Sequence, residues 1–569
     1  MSNCNQQEFD YVIVGSGPSA IGLLYGILER YGSLGCTELP FSIAVVERGG
    51  KEHHSFTKNP NQWITVNSFN SSSVSLMQTN IGARWIDIPT GRGLGGSTNN
   101  NACLVLPPSR TDFETWPTPW KENMMSSIKV IQDALVKNEA ILNFRTTVTP
   151  MLNIDTAEIA DEDFQETVFP SFLTSIPMSV KRTSEGQYER INYYDALLVP
   201  AFKTYSQLSS RIKWLCNMEV QRLMIKGTQV YGVECETTHS DDLIRIKAHR
   251  AIILCAGALE SPALLLVSGI GLVDDLLDVN IPSQGVNLPV GRNLRDHVLF
   301  PRVFFHPYTS YEHSPASIQA LYNTQEGENR FQILFTGSAA YPSLAAMALA
   351  TSLRRKFELP DGFMASLANF LCHTIFRLIR CTVQVSIDFT PLFYVFRYFC
   401  FVTVVALLNP KSSGRIRLKR KNAKVGKCLR KDFSLEINDV YFSDARDVEA
   451  FRLSWRRIGQ LCAGWFDRGF EVGPPASWLS PGYKEVFHTF AHEMCLPYYH
   501  WCGTCALGEV VDQELRVKGV KGLLVCDASI MPSMVSSPTA LTCAGLGYNL
   551  SEIIFRSHPL KMHSIVLNR

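Results

Sequence analysis

The chain has 569 residues, with 54 Lys and Arg against 52 Asp and Glu, so its net charge is only +2. This balance argues against a globally basic surface of the kind that binds nucleic acid. A hydrophobic fraction of 46% with 19% charged residues excludes a disordered chain, and the length predicts two domains or one elaborated domain. Sixteen scattered cysteines and an N-terminus without a secretory signal predict a reducing compartment, on the cytoplasmic side and not secreted.

The first predicted elements are a strand, a glycine turn and a helix. Residues 9–15 form a β-branched apolar run, and residues 20–32 have the apolar spacing of a helix packed on a sheet. Between them, Gly15 permits a tight turn and Gly17 lets the backbone approach a pyrophosphate. Pro18, Ser19 and Ala20 complete the turn and open the helix, whose N-terminal N–H groups attract phosphate. Ala20 replaces the third glycine of the dinucleotide fingerprint.

A second predicted strand, residues 41–46, ends at Glu47. A carboxylate in this position accepts hydrogen bonds from a ribose diol, which favours FAD or NAD over NADP. We include the adjacent Arg48 among the predicted cofactor contacts. The turn and Glu47 alone do not choose between FAD and NAD.

Several later segments resemble those of the glucose-methanol-choline (GMC) oxidoreductase family. Residues 91–101, GRGLGGSTNNN, are similar to its flavin-contacting loop, and residues 257–271 fit its second sequence pattern. Residues 290–297 (VGRNLRDH), 410–415 (PKSSGR) and 500–532 continue the series in family order. The resemblance therefore spans nearly the whole chain and implies FAD.

The resemblance implies an α/β fold: a doubly wound, Rossmann-like FAD-binding domain with an inserted substrate-binding domain built on a β-sheet. We expect the discontinuous FAD-binding domain to comprise residues 1–110, 205–300 and 500–569. The substrate-binding domain would then comprise residues 111–204 and 301–499.

The resemblance also implies further cofactor contacts outside the first turn. Val220 lies in a segment like the strand whose backbone meets the adenine, and the Asp527 segment would bring backbone N–H groups to the flavin and pyrophosphate. Some relatives attach FAD covalently through a histidine where this chain has Asn100, so we expect non-covalent FAD. No metal is expected. The predicted contacts are Arg92, Gly95, Gly96, Ser97, Asn100, Asn101, Val220, Ala256, Gly257, Asp527, Ala528, Pro538 and Thr539.

His500 stands at the position of the family's active-site histidine, where it would take the hydroxyl proton of an alcohol. A core histidine satisfied by the backbone is the alternative. The family normally supplies a second His or Asn where this chain has Pro538, which has neither a titratable side chain nor an N–H group. Three explanations stay open: Ser537 or Thr539 takes that role, His500 acts alone, or the reaction is not ordinary alcohol oxidation.

The segment WCGTC, with Cys502 and Cys505, is similar to a thioredoxin redox motif. A dithiol exchanging electrons beside the flavin is one interpretation. Relatives carry the Gly-Thr-Cys part without such chemistry, and no thioredoxin-like unit surrounds it, so we expect no redox role.

An apolar helical insertion is predicted at about residues 341–387. Within it, residues 363–380 could form one apolar helical face flanked by arginines, suited to a membrane surface. A lid on the substrate domain or an oligomer contact is the alternative. Both interpretations favour a lipophilic substrate, because the insertion falls in the domain that shapes the pocket.

The predicted function is an FAD-dependent oxidase or dehydrogenase that acts on the CH–OH group of a lipophilic alcohol. Oxygen, a quinone or a protein would accept the electrons. Two alternatives stay open: an FAD-containing lyase, resembling hydroxynitrile lyase or fatty-acid photodecarboxylase, and a non-catalytic flavoprotein subunit.

Overall fold

The computed structural model describes most of the chain in separate ranges. The predicted apolar insertion, including residues 363–380, lies outside these ranges. The described residues are 7–51, 58, 74–78, 84–88, 90–145, 171–173, 175–186, 188–237, 240–305, 318–323, 329–336, 400–421, 428–438, 440–464, 470–472, 482 and 484–558.

Strands and helices alternate in the N-terminal part, and strands dominate the middle. The strands are β1 (Gln7–Val14), β2 (Ile43–Val46), β3 (Val74–Gln78), β4 (Arg84–Ile88), β5 (Leu142–Arg145), β6 (Ser171–Leu173), β7 (Ser175–Met178), β8 (Val180–Arg182), β9 (Tyr188–Arg190), β10 (Ile212–Leu215), β11 (Met218–Lys226), β12 (Gln229–Thr237), β13 (Ser240–Leu254), β14 (Val298–Phe305), β15 (Ile318–Asn323), β16 (Arg330–Thr336), β17 (Cys400–Leu407), β18 (Arg415–Arg420), β19 (Phe433–Asn438), β20 (Phe470–Val472), β21 (Leu496–Pro497) and β22 (Leu523–Val525). The α-helices are α1 (Pro18–Ser33), α2 (Trp120–Lys137), α3 (Val199–Thr204), α4 (Ser206–Ser209), α5 (Gly257–Val267), α6 (Val273–Leu277), α7 (Ala445–Gly464), α8 (Lys484–Met494) and α9 (Thr539–Ser557).

A first sheet has the strand order β10-β2-β1-β13-β12-β11, with β22 also paired to β13. The pairs that join β10, β2, β1, β13 and β22 are parallel, whereas β12 and β11 continue the sheet antiparallel. Tyr11 to Val14 are all buried. A parallel strand covered on both faces reads as such an unbroken apolar run. Every strand of this sheet falls within the three segments predicted for the FAD-binding domain.

A second sheet has the order β20-β14-β17-β16-β15-β6, with β21 also paired to β14, and all of these pairs are antiparallel. Its strands come from the segments predicted for the substrate-binding domain, except that β14 begins at Val298. A parallel-stranded sheet flanked by helices, together with a separate antiparallel sheet, confirms the predicted α/β fold class.

Helices α1 and α9 cross in close contact beside the first sheet. A Cβ atom at Gly22 would stand 1.9 Å from the Ala544 carbonyl oxygen, and one at Gly547 would stand 1.9 Å from the Ser19 oxygen. The glycines therefore allow the two backbones to touch. Helix α2 packs on α9 as well, since a Cβ at Gly545 would meet the Ile128 side chain at 2.6 Å. Helix α2 lies in the range 111–204 that was predicted for the substrate-binding domain, yet it packs on a helix beside the first sheet.

None of the helices in the described ranges is both long and apolar enough to cross a membrane. The membrane-surface prediction for residues 363–380 falls outside those ranges and stays a prediction.

Candidate active site

A cavity opens at the carboxyl ends of β1, β2 and β13, where the glycine turn begins. Gly15 has φ +96°, and a Cβ atom there would stand 2.5 Å from the Cys255 carbonyl oxygen. Both facts require glycine. The Gly15 N–H donates to the Val46 carbonyl at 2.8 Å, which closes the turn over the neighbouring strand.

Most of the predicted cofactor residues line this cavity. They come from seven separate parts of the chain, and their meeting here indicates one continuous binding site. The lining residues among them are Gly15, Gly17, Pro18, Ser19, Glu47, Arg48, Gly96, Ser97, Val220, Ala256, Gly257, Asp527, Ala528 and Thr539.

Six predicted contacts lie outside the lining of the cavity. The Gly95 N–H donates to the Ser16 carbonyl at 3.1 Å and joins the two glycine-rich segments. The Asn101 side-chain oxygen accepts from Arg190 Nη1 at 2.8 Å. Pro538 is the N-cap residue of α9. The six residues are Ala20, Arg92, Gly95, Asn100, Asn101 and Pro538.

The Glu47 carboxylate is buried and bound by protein donors at both oxygens. Oε2 accepts from the Ser16 N–H at 3.1 Å and the Ser16 hydroxyl at 2.7 Å. Oε1 accepts from the N–H groups of Gly49 at 2.8 Å and Gly93 at 3.1 Å. The predicted bond to a ribose diol therefore requires an exchange of partners. The Ser16 hydroxyl allows it, because the Gly93 carbonyl lies 3.1 Å away as a second acceptor.

The cavity also holds an ion-pair cluster of which sequence reasoning found only Arg48. Glu260 binds Arg430 through two contacts, of 2.8 and 3.1 Å, and lies 3.9 Å from Arg48 Nη1. Burial raises the pKa of Glu260, but the charges of Arg430 and Arg48 outweigh it and leave the pKa below its ordinary value. Glu260 lay within the recognised segment 257–271. Arg430 had no local sequence signal.

The cavity wall fits the polar groups of FAD. Thr90 Oγ1 and Trp501 Nε1 are buried and have no hydrogen-bond partner within the described ranges. The N-cap of α1, Gly17, contributes no side-chain cap, which leaves the N-terminal N–H groups available to a phosphate. At Gly257 a Cβ atom would meet nothing within 4 Å, so the backbone itself faces open space. These features suit a dinucleotide with a pyrophosphate.

A buried carboxylate holds the loop that carries His500. Asp296 Oδ2 accepts from the N–H groups of Tyr498 at 3.2 Å and Tyr499 at 3.1 Å, and Oδ1 accepts from the His500 N–H at 2.7 Å. The Tyr441 hydroxyl adds a contact of 2.5 Å. Burial raises the pKa of Asp296 to about 7 against the lowering effect of these donors. Tyr499 has φ +63°, a strained conformation that this network stabilises.

The His500 ring pairs with a second histidine. His297 Nδ1 lies 2.9 Å from His500 Nδ1, with the two rings at 84°, and His297 Nε2 lies 3.0 Å from the Val535 carbonyl. Burial, followed by the neighbouring His297, lowers the pKa of His500 well below its ordinary value. His500 itself is half-buried, and its neighbours Tyr499 and Trp501 line the cavity.

Sequence reasoning did not single out His297, although it closes the recognised segment VGRNLRDH. That segment was the available signal. Its partner His500 lies 203 positions away, and nothing in either local pattern shows that the two rings meet.

The segment around Pro538 has a buried hydroxyl, although no side chain of the type that the family expects stands at that position. Ser537 is 2% exposed, and its Oγ has no hydrogen-bond partner in the part of the chain that the structure describes. Ser537 does not line the cavity, whereas Thr539 does. The preceding Ser536 is bound through its N–H and hydroxyl to Asp112 Oδ2, at 2.8 and 2.6 Å.

The Cys502 and Cys505 thiols are free and fully buried. Burial raises the pKa of both thiols, that of Cys502 to about 12. Thiols react as thiolates, so these pKa shifts disfavour a dithiol role. The described residues contain no group of three or more side chains placed to hold a metal ion.

Comparison with known proteins agrees with this arrangement. The N-terminal and C-terminal sequence models of the GMC oxidoreductase family match residues 24–299 and 410–547, respectively. A dehydrogenase of Monascus ruber named citC is 25% identical, with 96% of each chain covered. An oxygen-dependent choline dehydrogenase of Rhizobium johnstonii is 26% identical over 97% of this chain and 96% of its own.

The crystal structure of pyridoxine 4-oxidase from "Mesorbium loti" superimposes with a TM-score of 0.67 and 20% identity. It covers 97% of this chain and 100% of that one, and at this identity the match establishes the fold. Together, the family matches and the cavity built by the family's segments show that the chain belongs to the GMC oxidoreductase family and is an FAD-dependent oxidoreductase.

Proposed function

We propose that this protein oxidises the CH–OH group of a lipophilic alcohol and that His500 takes the hydroxyl proton. When bound, FAD supplies the acceptor for the hydride that leaves the carbon. The main support is the placement of His500, a depressed-pKa imidazole on a loop fixed by Asp296, between two aromatic residues of the cavity wall. Choline and pyridoxine, named in two of the relatives, are both alcohols.

A neutral imidazole suits the role of base. Because burial holds the pKa of His500 well below its ordinary value, the ring is uncharged at neutral pH and can accept a proton directly. A correctly placed general base contributes roughly 10²–10⁴-fold to a rate. The Asp296 contacts fix the backbone on which the ring stands.

The apolar character of the second sheet supports a lipophilic substrate. One buried cluster joins its strands to the segment that follows the flavin loop, and Tyr498, two residues before His500, packs against it. The polar Gln332 on this sheet is bound by the Tyr498 hydroxyl at 2.8 Å. The cluster comprises Cys103, Leu104, Leu106, Met178, Val180, Leu299, Leu334, Val404 and Ala406.

Ser537 is our candidate for the second polar group at the reacting oxygen, in place of the residue that Pro538 cannot supply. Its buried hydroxyl lacks a partner in the described ranges and could donate a hydrogen bond. Loss of kcat in Ser537→Ala, with FAD retained, would support this role. An unchanged kcat would favour His500 acting without a side-chain partner from this segment.

The direct test uses the FAD-loaded protein without oxygen and follows loss of flavin absorbance. We expect long-chain, terpenoid or sterol-like alcohols to reduce the flavin faster than choline or glucose. His500→Ala should slow this reduction by roughly 10²–10⁴-fold with FAD content unchanged. The exposed His249, varied to Ala, is the matched control and should leave the rate unaltered. Absence of reduction by every alcohol, or full activity in His500→Ala, would refute the proposal.

We further propose that FAD is held without a covalent bond, since Asn100 replaces the histidine used for attachment in some relatives. Acid precipitation should then release all flavin into the supernatant.

Three further points stay proposals. They are the electron acceptor, which would be oxygen, a quinone or a protein; a cytoplasmic location; and membrane contact through residues 363–380.

A further inference from the structure

We infer that His297 is a positioning residue that sets the tautomer of His500 through the hydrogen bond between their Nδ1 atoms. The inference rests on the proposed function of His500 as the base. It specifies which ring nitrogen takes the proton and what prepares it for that step.

The chain of hydrogen bonds begins at a group that can only accept. The Val535 carbonyl lies 3.0 Å from His297 Nε2, so that nitrogen carries the hydrogen. Burial lowers the pKa of His297 to about 4, against the smaller opposing effects of the Val535 and Leu408 carbonyls. His297 is therefore neutral at pH 7, and its Nδ1 holds a lone pair.

The position of the hydrogen on His297 in turn fixes the position of the hydrogen on His500. With a lone pair on His297 Nδ1 and 2.9 Å between the two Nδ1 atoms, His500 must be the donor. A neutral His500 that carries its hydrogen on Nδ1 has its lone pair on Nε2. Nε2 is therefore the atom that accepts the proton of the substrate hydroxyl.

The same contact stabilises the product of proton transfer. As the substrate O–H bond breaks, its proton forms a bond to His500 Nε2 and the ring becomes an imidazolium. The Nδ1–H group then donates a charge-assisted bond to His297, stronger than the neutral one. Loss of the acceptor would leave a buried donor unpaired and the tautomer free.

An aromatic ring and an engaged carboxylate flank the histidine pair, and the Leu408 carbonyl also faces His297. The centroid of the Tyr498 ring lies 4.2 Å from that of the His500 ring and 5.9 Å from that of the His297 ring. The Asp296 carboxylate, adjacent in sequence, is engaged by Tyr441 and by the backbone of the His500 loop.

The segment that carries the Val535 carbonyl, the first acceptor in this series of hydrogen bonds, is firmly held. Ser536, next to Val535, is bound twice to Asp112, and Asp112 Oδ1 also faces Arg330 Nη1 at 3.3 Å. The Val535 carbonyl therefore has little freedom to leave His297. The segment that lacks the family's second active-site side chain thus contributes a backbone acceptor.

The test combines spectroscopy of the holoenzyme with two substitutions. Selective ¹⁵N-histidine labelling, with His500→Asn for assignment, should show a pyrrole-type Nδ1 and a pyridine-type Nε2 in His500. His297→Phe keeps a ring but removes the acceptor, and His297→Asn restores an acceptor near the Nδ1 position. We expect kcat to fall roughly 10–100-fold in His297→Phe, as when other histidine-orienting partners are lost, with KM and FAD content little changed. His297→Asn should recover part of the loss.

Each outcome decides the inference. A pyrrole-type Nε2 in His500 of the parent protein would overturn it, as would unchanged kcat in His297→Phe. If His297→Phe failed to fold or to hold FAD, the parent spectrum and His297→Asn would still decide. The NMR spectrum reports the tautomer of His500 without any turnover of substrate. If the spectrum is as expected but His500→Ala keeps full activity, the tautomer assignment stands and only the proposed function is rejected.

Discussion

At the scale of single residues, the neighbours of His500, the proposed base, set the pKa of its ring. Burial and the adjacent His297 hold the pKa of His500 well below the ordinary histidine value. At a pH near 6.5, about half of the molecules would carry an unperturbed histidine in its protonated form, which cannot act as a base. His500 keeps its base form to lower pH.

We therefore predict that protonation of His500 in the free enzyme limits kcat/KM only below pH 6.5. Anaerobic flavin reduction by a reactive alcohol, measured across this range, gives the profile. His500→Ala is the control and should lack this acid limb. Because the Asp296 carboxyl has a pKa of about 7, Asp296→Asn separates its effect from that of His500. An acid limb centred at or above 6.5 that persists in Asp296→Asn would contradict the prediction.

Residues could be predicted from the sequence where a short stretch of chain fixes the backbone conformation. Gly15 and Gly17 were identified because a tight turn before a helix requires those residues, and both line the cavity. Glu47 was placed at the cavity, but its contacts with Ser16 and Gly93 were not foreseen. The Gly93 contact depends on a loop 46 positions further along the chain, and the Ser16 contact on the turn 31 positions before Glu47.

At the scale of elements, the crossing of α1 and α9 brings the glycine turn against the segment that follows Pro538. The crossing depends on backbone contact, since a Cβ at Gly22 would stand 1.9 Å from the Ala544 oxygen. A bound cofactor would meet both helix starts, because Pro18 and Thr539 line the same cavity.

Gly22→Ala should therefore destabilise the protein although alanine is the better helix former. The helix-propensity gain is about 1 kcal/mol, and overpacking costs about 1–3 kcal/mol, here against backbone that cannot turn away. Thermal unfolding should show a lower Tm and weaker FAD retention. Ser33→Ala, at the exposed end of the same helix, is the matched control. Equal Tm values for the two variants would show that the helices can move apart.

At the scale of the whole molecule, the cofactor cavity joins segments that are far apart in the chain. Its lining includes residues 14–19, 46–48, 218–220, 255–260 and 527–528. A ligand held by all of them binds only the folded chain, and its binding free energy adds to the free energy of unfolding.

We predict that removing FAD lowers Tm and that adding it back restores Tm in a concentration-dependent way. The expected stabilisation is about 2.7 kcal/mol when FAD is at 100 times its Kd. FMN, which lacks the adenosine half, is the control and should restore less. An unchanged Tm with full recovery of flavin absorbance would show that the cavity is not the binding site.

The sequence by itself determined the family, the FAD cofactor and the fold class, and it singled out His500 as the candidate base, because these inferences follow from glycine turns, apolar runs and motifs that act over short stretches of chain. Only the tertiary structure decided which loop residues face the cavity, that Glu260 meets Arg430 across 170 positions, and that His297 meets His500. A local pattern reports spacing along the backbone. Contacts between distant side chains depend on how the two sheets and their loops pack, and that information is distributed over the whole chain.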